Sequence, residues 1–186
     1  MQLAQVSRWG VDFGNVIVKN LDRKVRVELT RQLNPQPYKF ADRAWLNALD
    51  KFLLENSSLV PEAITGLNKL IQKSGKENIW IISKADYLES LINRRLMLVH
   101  DLFKKTNLTT LQIRFVTSYQ HKTPVCLHLN ITGHIDDRGE VLFYMQETTP
   151  NLVWFNPAEQ DTSLWNGLFT NHPRIVSGWD ELIQNI

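Results

Sequence analysis

The chain has 186 residues, 43% of them apolar, enough for one compact core with a modest insertion. Its 21 Lys and Arg against 19 Asp and Glu leave a net charge of +2 without a basic stripe, so nucleic-acid and membrane-surface partners have no electrostatic support. Cys126 is the single cysteine, which excludes an internal disulfide framework and fits a reducing compartment. With no basic leader before an apolar stretch, and no window near about 18 uninterrupted apolar residues, the expected location is cytoplasmic.

In chain order, Arg8 to Val11 reads as a short buried strand ending at Asp12, after which Gly14 lets the backbone turn sharply. After Asn20 and as far as Phe40 the chain is polar, and Pro35 and Pro37 break regular structure, so an irregular stretch is expected. Asp42 suits a helix cap, followed by Trp45, Leu46, Leu49, Phe52 and Leu53 at helical spacing. The segment Leu21 to Ser58 is too short for a second domain. It is expected to form a small cap or lid within a single domain spanning 1–186.

A second helix is expected from Pro61, with Ile64, Leu67, Leu70 and Ile71 on one face and Gly75 as terminator. Asn78 to Ser83 reads as a buried strand, Ala85 to Lys105 as one long helix, and Leu111 to Val116 as a third strand. Lys122-Thr123-Pro124 opens a short helix, with proline in its first turn. Asn130 to Ile135 forms a strand ending at Asp136 and Asp137. Glu140 to Gln146 follows as helix, Asn151 to Phe155 as strand, and Asp161 to Pro173 as a loop-like segment. A docking helix, Trp179 to Ile183, is capped by Ser177. Strands alternating with helices predict an α/β, Rossmann-like fold: a mainly parallel sheet of about five or six strands with helices on both faces.

In such a sheet the ligand crevice lies outside the carboxyl ends of the strands, where Asp12, Ser83, Lys122 and the Asp136-Asp137 pair all fall. The set suits phosphoryl chemistry: a carboxylate to attack phosphorus, carboxylates for a divalent cation, and a hydroxyl and an ammonium to hold the transferring oxygens. Structural roles stand beside these. Asp136 and Asp137 either bind metal or cap a helix, Ser83 caps the helix from Ala85 or binds phosphate, and Lys122 serves the site or is solvated. His100, His121, His128, His134 and His172 lack metal-ligand spacing, so zinc is not expected, and His134 reads as a packed or hydrogen-bonded neighbour of the site. Cys126, between Val125 and Leu127, reads as buried and inert. Lys104 and Lys105 complement a helix dipole. Most of the six tryptophans belong to the core, while Trp165 and Phe169 either pack there or cover a substrate or partner.

These segments, in this order and over nearly the whole chain, resemble the haloacid dehalogenase-like hydrolase superfamily, most of whose members are phosphatases. Asp12-Phe13-Gly14-Asn15-Val16-Ile17 resembles its first motif, Ile82-Ser83 the second, Lys122 the third and Ile135-Asp136-Asp137-Arg138 the fourth. Around Gln120 to Pro124 and Gly133 to Arg138 the chain looks most like small-capped nucleotidase-like and uncharacterised branches. The resemblance implies that Asp12 becomes a transient aspartyl-phosphate on a small phosphorylated substrate. It also implies that Ser83 and Lys122 bind the phosphoryl group, and that Asp12, the Gly14 carbonyl and Asp136 or Asp137, with Asp137 preferred, hold Mg2+.

One position departs from the pattern. Family phosphatases usually carry a second aspartate, a general acid and base, where this chain has Gly14, although some sugar-phosphate phosphatase relatives share Asp-x-Gly-Asn-Val-Ile. Losing such a group typically costs about 10² to 10⁴ in rate, least for a good leaving group. His121 or a residue of the insertion is expected to supply part of the missing role. The alternative is a catalytically weakened relative that binds phosphate or a protein partner.

Overall fold

The computed structural model describes residues 8–33 and 42–184. The first half of the chain runs through β1 (Trp9–Val11), α1 (Arg23–Leu33), α2 (Arg43–Asn56), α3 (Ala63–Ser74), β2 (Ile79–Lys84), α4 (Tyr87–Val99) and α5 (Leu102–Thr106). The second half follows with β3 (Ile113–Val116), α6 (Lys122–His128), β4 (Gly133–Asp136), α7 (Gly139–Met145), β5 (Asn151–Phe155), α8 (Glu159–Trp165), β6 (Arg174–Val176) and α9 (Trp179–Ile183). The strands form one parallel six-stranded sheet in the order β3-β2-β1-β4-β5-β6. The expected α/β architecture is therefore present, and β1 lies at the point where strand order reverses.

Alternation along the strands splits the core between the two faces of the sheet. Ile79 and Ile81 join Val11, Ile135, Val153 and the apolar sides of α2, α3, α4 and α9. Ile82 and Trp154 join Cys126 and Phe169 on the α6 and α7 side, with Trp80 packed against that cluster. Trp179 of α9 fits against Gly66, where a Cβ would lie 2.0 Å from its ring, and its Nε1 donates to the Val16 carbonyl at 2.7 Å. The docking helix thus pins the loop that follows β1.

Asp42 caps α2 as expected, its carboxylate accepting from the Ala44 and Trp45 amides, and Gly75 terminates α3 with φ 85°. Residues 23–33, expected to be irregular, are instead helical; Asp22 begins the helix by accepting from Lys24 N. Among its described side chains Leu29 is buried and Val25 is partly buried against the core, standing between charged residues that gave the stretch its polar reading. Pro35 and Pro37 lie outside the described residues. The long helix expected over 85–105 breaks at Asp101, which takes the left-handed conformation (φ 55°) and turns α5 so that its Lys105 carbonyl accepts from Asn68 of α3. Lys104 and Lys105 do occupy the last turn of α5.

Boundaries shift elsewhere. Residues 110–112 make a 3-10 turn before β3, and Asn130, with φ 52°, belongs to the turn before β4. The segment expected to be loop-like contains α8, and β6 adds an edge strand after it. Gly178, rather than Ser177, is the N-cap of α9; Ser177 instead donates to Glu181 through its amide and hydroxyl. Phe169 is buried against Trp154, and Trp165 packs on Phe143, so both serve the core. Among the described residues, no helix is long and apolar enough to cross a membrane.

Candidate active site

Asp12 follows β1 directly, and its amide extends the ladder by donating to Ile135 O at 2.9 Å. Beyond it the chain folds back in a tight turn, Ile17 N and Val18 N both donating to Phe13 O at 3.0 Å, with Asn15 left-handed at φ 56°. Asparagine tolerates that conformation better than most side chains. Lys19 N donates to Ser58 O, and Val60 N to Ile17 O, each at 2.9 Å. The segment between therefore leaves and rejoins the domain at adjacent points beside Asp12.

Lys122, the first residue of α6, extends beneath Asp12. Its Nζ lies 2.6 Å from Asp12 Oδ1 and 2.6 Å from Asp136 Oδ2, and the residue is only 1% exposed. The expectation of a solvated surface lysine is thereby excluded. Burial alone would lower the Lys122 pKa, but the two carboxylates outweigh it and raise it above the ordinary lysine range. Asp136 ends β4 with both oxygens engaged: Oδ2 with Lys122 and with His134 Nε2 at 3.1 Å, and Oδ1 with the Arg138 amide at 3.1 Å. Burial raises its pKa, yet Lys122 and His134 prevail and hold it below the usual carboxylate value. For Asp12 the balance differs: burial raises it, Lys122 opposes, and the Asp136 charge adds to the rise.

His134 is wholly buried, with Nδ1 3.9 Å from Cys126 Sγ. Burial lowers its pKa, but Cys126 and Asp136 against its two ring nitrogens raise it to about 9. It pairs with Gly10 across β1 and β4, and a Cβ at Gly10 would sit 2.4 Å from Nδ1. Glycine here makes room for the imidazole.

Asp137 is only half-buried. Its Oδ2 accepts from Asn15 Nδ2 at 2.9 Å, and its carbonyl accepts from Trp154 Nε1 at 3.2 Å. Burial, then the charges of Asp136 and Asp12, push its pKa up to about 7. Oxygens of Asp12, Asp136 and Asp137 come within 4.8 Å of one another. Carboxylates this close, one held from ionising by burial and by the others, suit a hard divalent cation with oxygen ligands.

Above the carboxylates opens a cleft of about 270 Å³. Ser83, near the carboxyl end of β2, lines it together with Asp12, Gly14, Lys122, Asp136 and Asp137. Ser83 does not cap the next helix. That role falls to Asp86, which accepts from Glu89 N at 2.8 Å while Glu89 accepts from Asp86 N. His121 is exposed and paired with Thr117 Oγ1 at 3.1 Å, away from the cleft lining. Cys126 is buried, as expected.

Sequence reasoning missed Asn15, Asn20, Arg26 and Tyr119. Asn20, Arg26 and Tyr119 line the cleft, and a Cβ at Gly14 would lie 2.7 Å from Asn20 Oδ1. Asn20 N donates to Asn15 Oδ1 at 3.0 Å, and Arg26 donates to Asn20 Oδ1 at 3.3 Å. A polar chain thus runs from α1 to Asp137. The asparagine after Gly14 was its one visible signal.

No family model and no curated protein matches this sequence. Solved structures do match. A protein assigned as a haloacid dehalogenase-like hydrolase, from Burkholderia xenovorans, superposes with TM-score 0.60 at 13% identity, over 95% of this chain and 94% of its own. A HAD-superfamily hydrolase from Ehrlichia chaffeensis gives 0.58 at 13% identity, over 98% and 96%. D,D-heptose 1,7-bisphosphate phosphatase from B. bronchiseptica, solved with magnesium and phosphate, gives 0.57 at 8% identity, over 95% and 96%. The chain has the fold of the haloacid dehalogenase-like hydrolases.

Proposed function

We propose that the chain is a Mg2+-dependent phosphohydrolase that acts on a small phosphomonoester through an aspartyl-phosphate at Asp12. The observation that carries this reading is the ring of charge at the β1 and β4 ends: Asp12 held by the Lys122 ammonium at 2.6 Å, with both later aspartates in reach of one ion. Lys122 and Ser83 hold the phosphoryl oxygens. Asp136 keeps Lys122 in place, since its own oxygens are committed to Lys122, His134 and the Arg138 amide. Asp137 is left, with Asp12 and the Gly14 carbonyl, to hold the cation. A bound Mg2+ would neutralise phosphate charge as the Asp12 carboxylate approaches phosphorus.

The segment Leu21 to Ser58 serves as a small cap, supported by Leu21 and Arg26 in the cleft lining and by the Arg95–Asp50 ion pair that ties α2 to α4. Gly14, its side-chain space filled by Asn20, favours a second reading: a weakened relative that binds phosphate or a protein partner without efficient turnover.

Release of nitrophenol from p-nitrophenyl phosphate, with and without Mg2+, separates the two. The proposal expects metal-dependent release that Asp12→Asn abolishes. Inactivity across a broad panel of phosphate esters would favour the binding protein.

A further inference from the structure

The cleft is equipped to attack phosphorus, yet among the described residues the carboxyl groups that line it are already committed. Asp12, Asp136 and Asp137 form the charged ring beside Lys122. Asp86 caps α4, and Glu89 both completes that capping box and faces Arg26 at 3.7 Å. Where a side chain at position 14 would enter the cleft, the Asn20 amide stands instead, held by Arg26. An amide does not give up a proton near neutral pH. The same cleft presents Leu21, Leu88 and Ile92, an apolar stretch against which the carbon skeleton of a leaving group can pack, beside the polar Asn20, Lys84 and Asn93.

Taking the phosphohydrolase reading as premise, we propose that the substrate is an acyl, enol or aryl phosphate, whose leaving group departs as an anion without a proton from the protein, rather than a sugar or alkyl phosphate. In the first step an Asp12 carboxylate oxygen forms a bond to phosphorus, and the bond from phosphorus to the leaving oxygen breaks. The electron pair leaves on that oxygen, which takes any proton it needs from solvent. In the second step water attacks the phosphorus of the aspartyl-phosphate, the bond to Asp12 breaks and restores the carboxylate, and the proton of the water passes to solvent as inorganic phosphate leaves. Such a scheme tolerates leaving groups with conjugate acids of about pKa 4 to 10, as for carboxylic acids and phenols. Alkoxides, near the about 15.7 of water, are excluded.

The test compares p-nitrophenyl phosphate with p-nitrobenzyl phosphate, nearly equal in size and apolarity but differing in leaving-group basicity. The expected kcat/KM for the benzyl ester is lower by about 10² to 10⁴, the usual worth of a proton donor. In Gly14→Asp combined with Asn20→Gly, which opens the filled space, the ratio narrows at least about tenfold. Wild-type values within about threefold of each other, or a ratio unchanged in the folded double variant, overturn the proposal. So does a Tyr119→Phe variant that loses only the benzyl ester, which would make Tyr119 the donor. Inactivity on both esters and on acetyl phosphate overturns the phosphohydrolase reading and the inference with it, whereas equal turnover of the two esters overturns the inference alone.

Discussion

Lys122→Met removes the one ammonium between Asp12 and Asp136 while keeping the length and apolarity of the side chain. The wild-type contacts are 2.6 Å on each side, with Lys122 1% and Asp136 0% exposed, so the Asp136 carboxylate gains no water when the charge is lost. Breaking a buried pair by removing one partner costs about 3 to 5 kcal/mol. At about 2 to 4 °C per kcal/mol for a chain of this size, the thermal midpoint should fall by roughly 6 to 20 °C. The sign with pH follows from the carboxyls. Without Lys122 their folded pKa values rise, the unfolded chain gives up its protons first, and the deficit grows as pH rises above the ordinary carboxylate value of about 4. Restoring charge balance with Asp12→Asn in the Lys122→Met background should recover part of the loss. Circular dichroism melts in EDTA read all three quantities. A single variant within about 1 kcal/mol of wild type at about pH 8 would refute the reasoning, because it would mean that the ammonium does not hold the two carboxylates together.

Three further outcomes are expected. Gly10→Ala should cost about 1 to 3 kcal/mol, since its Cβ would meet His134 Nδ1 at 2.4 Å while Asp136 anchors the opposite ring nitrogen; a urea double-mutant cycle with His134→Ala should show the two losses to be far from additive. Because the Asp137 carboxyl is pushed up to about 7 and a ligating carboxylate must be ionised, Mg2+ should raise the melting temperature at high pH and lose that effect as pH falls below this value. Asn15→Ala, which frees Asp137 Oδ2 from its 2.9 Å hydrogen bond, should weaken Mg2+ binding by about 10 to 100-fold by calorimetry.

The two strands that carry the aspartates were legible because each ends an apolar run with a carboxylate. Val11 before Asp12 and Ile135 before Asp136 are buried strand residues in register with each other, and the sequence shows both the run and its end. Helix α1 was not legible, since its charged residues and the prolines after it read as an irregular polar stretch, and neither was the break at Asp101, where an aspartate takes a left-handed conformation without glycine or proline to mark it. His134 was visible only as a strand residue. Its hold on Asp136 depends on Gly10 in the neighbouring strand, a pairing of residues 124 apart that only the sheet register creates. The occupant of the space beside Gly14 was hidden for the same reason: Asn20 reaches it through a turn held by backbone hydrogen bonds, and His121, nearer in kind to a proton donor, points to Thr117 instead.

The central claim is that Asp12 takes the phosphoryl group. Protein incubated with acetyl phosphate and Mg2+, quenched in acid and reduced with borohydride, should contain homoserine at position 12, the mark of an aspartyl-phosphate, and none in Asp12→Asn. Phosphate release without that mark, or the mark at Asp136 or Asp137 instead, would contradict the account.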